Sequence, residues 1–199
     1  VVSENRVYND SVVFEDGAQI DIGADVTVTF LKGIVANQDA HIFGGKGRVA
    51  GIKRLVPEWF GAVADGVTDD TVALQRTLNS CEKPLPIPPD PAPAQGAHAS
   101  ALPFSEGCAG RGVQLLLRRA YLVSRLEANA YFLNIHAENG WLVAQKEGRF
   151  PYLLGLNRHF MTITGHLCIE GSYNQGYDSM VRVNTRHLIS QNVRVFRAS

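Results

Sequence analysis

The sequence has no long apolar run, no net charge and few cysteines, and each of these absences excludes a class of protein. No stretch reaches the roughly 20 consecutive apolar residues that a membrane-spanning helix needs, so we expect no membrane insertion. Nineteen Lys and Arg residues balance nineteen Asp and Glu residues. This balance removes the global positive charge that favours nucleic acid as a partner. The composition therefore favours a protein that recognises neutral or locally charged surfaces.

The cysteines and histidines do not form a metal-ligand pattern. The three cysteines and six histidines show no Cys-x-x-Cys, His-x-His or His-x-x-x-His spacing, so we predict no metal site and no cofactor. Cys81 and Cys108 flank a proline-rich stretch. They form either a disulfide that closes this stretch or two ordinary thiols. Cys168 lies in an apolar run and is predicted to be a small buried side chain.

Residues 1–56 have the pattern of short strands separated by turns. Val26–Phe30 alternates between apolar and polar residues, and Gly-rich or Asp-containing turns follow such stretches. The Gly44–Gly47 turn lacks the Gly-Lys-Ser/Thr ending and the following helix of a phosphate loop. Two arrangements fit this N-terminal β-rich segment: a small β domain, or the first coils of a solenoid.

Residues 57–81 contain the most informative motif of the chain, which runs from Trp59 to Gln75. The motif predicts a short apolar strand, a tight turn at Asp65-Gly66 and an amphipathic helix. Leu74 and Leu78 place an apolar stripe on that helix, with Thr71 and Cys81 flanking it. Thr68 is predicted to cap the helix, with Asp69 and Asp70 in its first turn.

This segment closely resembles the WFGA-x-x-DG-x-TDDT-x-A-x-Q signature of the pectate-lyase-like superfamily. The matching residues are Trp59, Phe60, Gly61, Asp65, Gly66, Thr68, Asp69 and Asp70. The resemblance implies an all-β fold, a right-handed parallel β-helix whose short helix covers the open end of the coil. It also implies a carbohydrate theme, because the superfamily includes polysaccharide lyases, polygalacturonase-type hydrolases and phage tailspikes.

The rest of the chain divides into a loop and a repeat. Residues 82–112 are predicted to be a Pro-rich loop insertion, because closely spaced prolines cannot join the interior of a sheet. Residues 113–199 show apolar strands that recur at nearly equal intervals, beginning at Phe132, Phe160 and His187. This recurrence predicts the first coils of a parallel β-helix. Because no polar cap follows the last apolar strand, we expect the natural protein to continue beyond Ser199.

Candidate site residues are few. Glu170 and Asp178 are the best weak candidates for catalytic carboxylates, because glycoside hydrolysis needs two acids on one face. Tyr173 and Tyr177 lie near them and are candidate sugar-stacking residues. Arg182 and Arg186 are candidates for binding an acidic glycan or for a lyase reaction. Residues 82–112 are also open to a second interpretation, as a contact between subunits.

The catalytic motifs of polygalacturonases do not carry over to this chain. Asn184-Thr185 is followed by Arg186 where the family has aspartate, and His166 precedes Leu167 where the family has glycine. We therefore expect a tailspike-like protein of the virion tail or extracellular space that recognises a surface polysaccharide. We expect a homotrimer, attached to other tail proteins, whose depolymerase activity would lie in later coils. The alternatives are a secreted polysaccharide lyase or glycoside hydrolase, and a non-catalytic structural adhesin.

Overall fold

Strands dominate the chain, and every strand pair that the structure describes runs parallel. The structure is a computed structural model that describes residues 1–81, 112–146, 150–158, 160–171, 177–185 and 188–197. The predicted Pro-rich loop lies almost wholly outside the described residues. Cys108 also lies outside them, and with it the choice between a disulfide to Cys81 and two ordinary thiols.

Eight short strands occupy the N-terminal part of the chain. They are β1 (Arg6–Tyr8), β2 (Val12–Val13), β3 (Ile20–Ile22), β4 (Thr27–Phe30), β5 (Ile34–Val35), β6 (Phe43–Gly45), β7 (Arg48–Ala50) and β8 (Arg54–Leu55).

These strands repeat at a regular interval. Arg6 of β1 pairs with Val28 of β4, and Val12 of β2 pairs with Ile34 of β5. Side chains follow the same interval, since Lys32 donates to Asp10 at 2.8 Å and the Trp59 indole donates to the Asn37 carbonyl at 2.9 Å. This pairing is not that of β-hairpins, which would pair consecutive strands antiparallel.

Where the sequence predicts a short apolar strand, the structure instead has a 3-10 helix (Pro57–Phe60), and strand β9 (Asp65–Asp69) and helix α1 (Thr71–Cys81) follow it. The apolar stripe is confirmed, because Leu74, Leu78 and Cys81 are each 1% exposed. The predicted helix start is wrong. Thr68 and Asp69 belong to β9, and the helix begins only after Asp70, whose carbonyl accepts the Leu74 N–H at 2.9 Å. Thr68 does not cap the helix, because its hydroxyl donates to the Asp65 carboxylate at 2.9 Å.

Helix α1 lies between two groups of strands. On one side it contacts β7, where the Ser80 hydroxyl accepts the Val49 N–H at 3.3 Å. On the other it contacts β10 (Gln114–Leu117), β11 (Ala120–Val123) and β12 (Leu126–Ala128). Only Val72 of the helix is exposed. The helix therefore packs against both groups of strands, which are also joined directly where β8 pairs with β10.

The remaining strands are mostly longer. They are β13 (Asn134–Ala144), β14 (Phe150–Leu156), β15 (Met161–Gly171), β16 (Tyr177–Val183), β17 (Leu188–Ser190) and β18 (Val193–Arg197).

These strands confirm the recurrence that the sequence predicts. Ile135 of β13 pairs with Ile163 of β15, and Met161 of β15 pairs with Leu188 of β17. One sheet runs in the order β17-β15-β13-β10-β8, with β11 and β18 along its continuation, and a second sheet runs β12-β14-β16. Alternate side chains point into the core, since Leu167 and Ile169 are fully buried while the residues after each are half-buried. The outward residues between them are left to form a surface.

Candidate functional site

The outward residues of β11, β13, β15 and β18 form two rows across one continuous sheet. One row places Ala120, Trp141, Cys168 and Arg194 side by side. The next row places Leu122, Val143, Glu170 and Phe196 side by side. Because neighbouring strands lie about 4.8 Å apart, the side chains of adjacent positions are within contact distance.

An exposed aromatic pair stands on this surface. The rings of Trp141 and Phe196 stack with centroids 6.1 Å apart and an angle of 10° between their planes. Trp141 is 37% exposed and Phe196 is 44% exposed. Glu170 and Arg194 share the rows of these two rings, and Arg194 is exposed. We call Trp141, Glu170, Arg194 and Phe196 the Trp141 face.

A β-bulge sets the direction in which Trp141 points. The register of β13 against β15 shifts between Ala137 and Gly140, where Asn139 adopts a left-handed φ of 59°. A bulge adds a residue to one strand and redirects the side chains that follow. Asparagine tolerates this φ better than most residues. The bulge thus leaves Trp141 outward and Leu142 buried in the core.

The prediction for Cys168 is wrong. Cys168 occupies an outward position of β15 and is half-buried. In the run Leu167-Cys168-Ile169, the first and last residues are buried, because strand side chains alternate between the two faces.

The residues proposed as a catalytic pair lie in different sheets. Glu170 is in β15 beside Phe196, whereas Asp178 is in β16, which pairs with β14. Of the two candidate tyrosines, Tyr177 is described only by its backbone at the start of β16, and Tyr173 lies outside the described residues. Glu170 therefore lies beside the Trp141–Phe196 pair. The sequence analysis did not predict this aromatic pair.

Arg182 belongs to a second polar cluster, on the β12-β14-β16 sheet. The Glu127 carboxylate accepts hydrogen bonds from Arg125, Asn157 and the Tyr152 hydroxyl. Arg182 donates to the Asn157 side chain at 3.0 Å and lies 3.8 Å from Glu127. Both guanidinium groups stack over the Tyr152 ring, 4.7 Å (Arg125) and 4.0 Å (Arg182) from its centroid. This Glu127 cluster ties three successive strands together, and Arg186 lies outside the described residues.

The Glu127 cluster makes stability depend on pH. Partial burial raises the pKa of Glu127, but hydrogen bonds from Tyr152, Arg125 and Asn157 outweigh it and hold the pKa below its ordinary 4.5. A carboxyl with a lowered folded-state pKa stabilises the fold above its unfolded pKa and loses that contribution as pH falls through the folded pKa.

We expect Glu127→Gln to lower the free energy of unfolding by roughly 1 kcal/mol at pH 7, discounted for partial exposure. The difference from the original chain should shrink as pH falls below about 4.5. Urea unfolding at a series of pH values measures it. Tyr152→Phe, which keeps the ring and removes one donor, should show part of the same pH dependence. An unfolding difference that stays constant with pH would contradict the role given to Glu127.

Two acidic residues of the signature, Asp65 and Asp70, accept hydrogen bonds from main-chain N–H groups. The two oxygens of Asp70 accept the N–H groups of Val63 and Ala64, at 2.7 and 3.0 Å, and Asp70 is 2% exposed. One Asp65 oxygen accepts the N–H groups of Thr68 and Val67, which lower the pKa of Asp65. The side-chain oxygens of Asp65 and Asp70 thus support the turns around β9 and the start of α1.

The aromatic and glycine residues of the signature are also structural. Trp59 and Phe60 are 7% and 3% exposed, and both pack against Phe43. Gly61 ends the 3-10 helix in a left-handed conformation with φ of 93°, and Gly66 in β9 has φ of 75°. Most residues avoid positive φ, which explains why glycine suits these two positions.

A further carboxyl within the signature region has unusual surroundings. Glu58 is 3% exposed, accepts the Tyr121 hydroxyl at 3.1 Å and lies 3.6 Å from Arg118, which also binds Asp39. Burial raises the pKa of the Glu58 carboxyl. A raised pKa suits a general acid, but a side chain this buried cannot contact a polymeric substrate. Glu58 therefore fastens the 3-10 helix to β11.

The described part of the chain contains no group of three or more His, Cys, Asp or Glu residues that could hold a metal ion. Among the described helices, none is both long and apolar enough to cross a bilayer. No family model, curated protein or solved structure matches this chain. The resemblance to the pectate-lyase-like superfamily therefore stays a prediction based on the signature residues.

Proposed function

We propose that the chain is a right-handed parallel β-helix from a glycan-directed, tailspike-like protein, and that the Trp141 face contacts the polysaccharide. Parallel pairing throughout the described strands supports the solenoid, as do the regular register steps before and after helix α1. Stacked turns of this kind expose long outward rows of side chains. Such rows suit an extended polymer that lies across several strands.

The exposed stack of Trp141 on Phe196 is the observation that carries the proposal. A flat aromatic ring offers an apolar face to the C–H side of a sugar ring at little cost in conformational entropy. Glu170 accepts and Arg194 donates hydrogen bonds, which are the two roles that sugar hydroxyls can satisfy. An aromatic platform with a few polar groups at its border is a common way to bind a neutral or weakly charged ligand.

Recognition fits these residues better than cleavage. Two carboxylates that work as acid and base must reach the same glycosidic bond, but Glu170 and Asp178 lie in different sheets, and Glu58 is buried. We therefore assign the described residues a binding role within a homotrimeric, virion-tail or extracellular protein. A secreted lyase or hydrolase remains the alternative, and it would release shortened products from a polysaccharide that this chain binds.

The proposal predicts that Trp141→Ala weakens polysaccharide binding at least tenfold, because truncation of a central aromatic side chain at a contact surface commonly costs about 2 kcal/mol. The measurement is retention of the chain on a panel of immobilised bacterial surface polysaccharides, some neutral and some acidic. Tyr131→Ala is the matched control, because Tyr131 is a similarly exposed aromatic residue (42%) that pairs with Arg158.

Loss of retention in Trp141→Ala alone would support the Trp141 face as the contact surface. Equal retention of both variants would contradict that assignment. Retention of none of the polysaccharides by the original chain would contradict glycan recognition and favour the structural adhesin.

A further inference from the structure

A cleft of about 740 Å³ opens between two neighbouring turns of the N-terminal part of the chain. Among the described residues, one wall is formed by residues 31–36 and 38, and the other by residues 51–54, 56 and 59. The two turns meet at both ends of the cleft. A Cβ at Gly51 would lie 2.3 Å from the Phe30 carbonyl oxygen, and the Trp59 indole donates to the Asn37 carbonyl at 2.9 Å. Direct contacts between the turns therefore bound the cleft on both sides.

Each wall carries a strand with one unpaired edge in the part of the chain that the structure describes. There, β5 pairs only with β2, and β8 pairs only with β10. The interval that leads from Val12 to its partner Ile34 leads on from Ile34 to Val56, directly after β8. Strand β8 thus lies where the next neighbour of β5 is expected, yet the two strands do not pair. The cleft occupies the space between their edges.

The main-chain groups of Ile34 and Arg54 point to the cleft. In β5, the carbonyls of Gly33 and Val35 accept hydrogen bonds from β2 and the residue after it, at 3.3 and 2.8 Å. In β8, the Lys53 carbonyl accepts an N–H group of β10 at 2.8 Å. Because main-chain groups alternate in direction along a strand, Ile34 and Arg54 direct their N–H and carbonyl groups to the opposite side, where both residues line the cleft. An extended segment between β5 and β8 would satisfy these groups.

The floor of the cleft is apolar and its rim is cationic. Ile52 and Val56 line it and are 7% and 0% exposed, whereas Lys53 and Arg54 are exposed at its rim. Successive side chains of an extended segment point to opposite faces. A segment that alternates apolar and acidic residues would therefore place the apolar ones on the floor and the acidic ones at the rim.

The rim keeps an excess of positive charge after its described contacts are taken into account. The described lining contains no acidic side chain and three cationic ones, of which Lys32 is already paired with Asp10. Arg54 donates its Nε to the neutral amide oxygen of Gln114 at 2.8 Å. Neither Arg54 nor Lys53 has an acidic partner among the described residues. Cationic side chains at a sheet edge discourage pairing with most segments, but they attract an acidic one.

We propose that this cleft binds an extended segment of a partner protein, in which apolar and acidic residues alternate, and that the segment bridges the edges of β5 and β8. Strand addition of this kind gains affinity from main-chain hydrogen bonds and specificity from alternate side chains. The volume of the cleft lies within the range of ordinary ligand sites and suits a segment of a few residues. This inference does not depend on the Trp141 face, because the two surfaces share no residue.

The test is titration of a labelled synthetic peptide, acetyl-Ser-Val-Glu-Val-Glu-Val-Ser-amide, with the full chain, followed by fluorescence anisotropy. We expect this acidic peptide to bind and two matched peptides to bind at least tenfold more weakly. One matched peptide carries lysine in place of glutamate, which places like charges at the rim. The other is N-methylated at its valines, which removes main-chain donors without changing charge or side chains.

Variants of the chain test the cationic rim. Lys53→Gln and Arg54→Gln should each weaken binding of the acidic peptide about threefold, as is usual for exposed charge pairs. Lys46→Gln is the matched control, because Lys46 is an exposed lysine on a different turn. It should leave the binding of the acidic peptide unchanged.

The indole of Trp59 reports where the peptide binds, because Trp59 lines the cleft. We expect the acidic peptide to shift the Trp59 indole N–H signal in nuclear magnetic resonance and to leave the Trp141 signal in place. A polysaccharide on the Trp141 face should do the opposite, so the two proposals can fail separately.

Three results would overturn the strand-addition proposal. The first is equal binding of the acidic, basic and N-methylated peptides, or binding of none of them. The second is a bound acidic peptide that shifts the Trp141 signal rather than the Trp59 signal. The third is a polysaccharide that shifts the Trp59 signal and displaces the acidic peptide, which would assign the cleft to a glycan.

Discussion

Replacing Asp70 with alanine is expected to lower the free energy of unfolding by roughly 3 kcal/mol, because two charge-assisted hydrogen bonds are lost together. The carboxylate accepts the N–H groups of Val63 and Ala64 from a position that is 2% exposed. Ala64 is itself buried and has a left-handed φ of 58°. Without Asp70, its N–H would be left without a partner in the protein interior. Urea unfolding at neutral pH measures the loss.

Two further variants test whether the lost hydrogen bonds cause the loss of stability in Asp70→Ala. Asp70→Asn keeps one acceptor oxygen and should fall between aspartate and alanine. Asp69→Ala removes a neighbouring carboxylate that is exposed and accepts the Thr71 N–H at 2.9 Å. It should cost only about 1 kcal/mol, as for an ordinary cap. Equal losses of stability in Asp69→Ala and Asp70→Ala would contradict the stabilising role that we assign to the two hydrogen bonds of Asp70.

Replacing Gly165 with alanine is expected to cost roughly 3 kcal/mol or more, for two separate reasons. Gly165 in β15 has a φ of 81°, which costs an L-residue about 1–2 kcal/mol. A Cβ there would also lie 2.1 Å from the main-chain oxygen of Ala137 in β13. Backbone cannot move aside as a flexible side chain can, so β13 and β15 must separate locally. Overpacking of this kind typically adds about 1–3 kcal/mol.

Gly17 separates the two contributions. It has the same φ of 81°, but nothing lies within 4 Å of the position that its Cβ would take. Gly17→Ala should therefore cost only the conformational part, about 1–2 kcal/mol. Thermal or urea unfolding of both variants gives the comparison. Losses that are equal within error would mean that β13 and β15 do not approach as closely at Gly165 as described.

The sequence predicted the later strands better than the start of the helix. The recurring apolar strands of residues 113–199 predicted the pairing of Ile135 with Ile163, because corresponding residues of these strands fill equivalent core positions. The helix start was misplaced because Thr, Asp and Asp all favour an N-cap or a first turn. Asp70 instead directs its carboxylate backward to Val63 and Ala64, a tertiary contact that helix-capping rules do not include.

The repeat within residues 1–56 was harder to recognise. Its strands are only two to four residues long, and like pairs such as Val28 with Val49 occur beside unlike pairs such as Arg6 with Val28, so similarity of residue type reveals it poorly.

The aromatic pair was missed for a related reason. Trp141 and Phe196 lie far apart in the sequence and in different rows, and only the register across β15 brings them together. The sequence could have indicated the pair only through the alignment of Trp141 with Cys168 and Arg194 as outward positions of neighbouring strands. This alignment requires the register of β13 against β15 and of β15 against β18. The spacing of apolar strands in the sequence gives that register only approximately.

The two tryptophans of the chain allow one direct measurement of the proposed contact between Trp141 and a glycan. Trp141 is 37% exposed, whereas Trp59 is 7% exposed and donates its indole N–H to Asn37. Nuclear magnetic resonance resolves the two indole N–H signals during titration with a polysaccharide that the chain retains. We predict that the Trp141 signal shifts with saturation while the Trp59 signal stays in place. A bound polysaccharide that leaves the Trp141 signal unmoved would contradict the account.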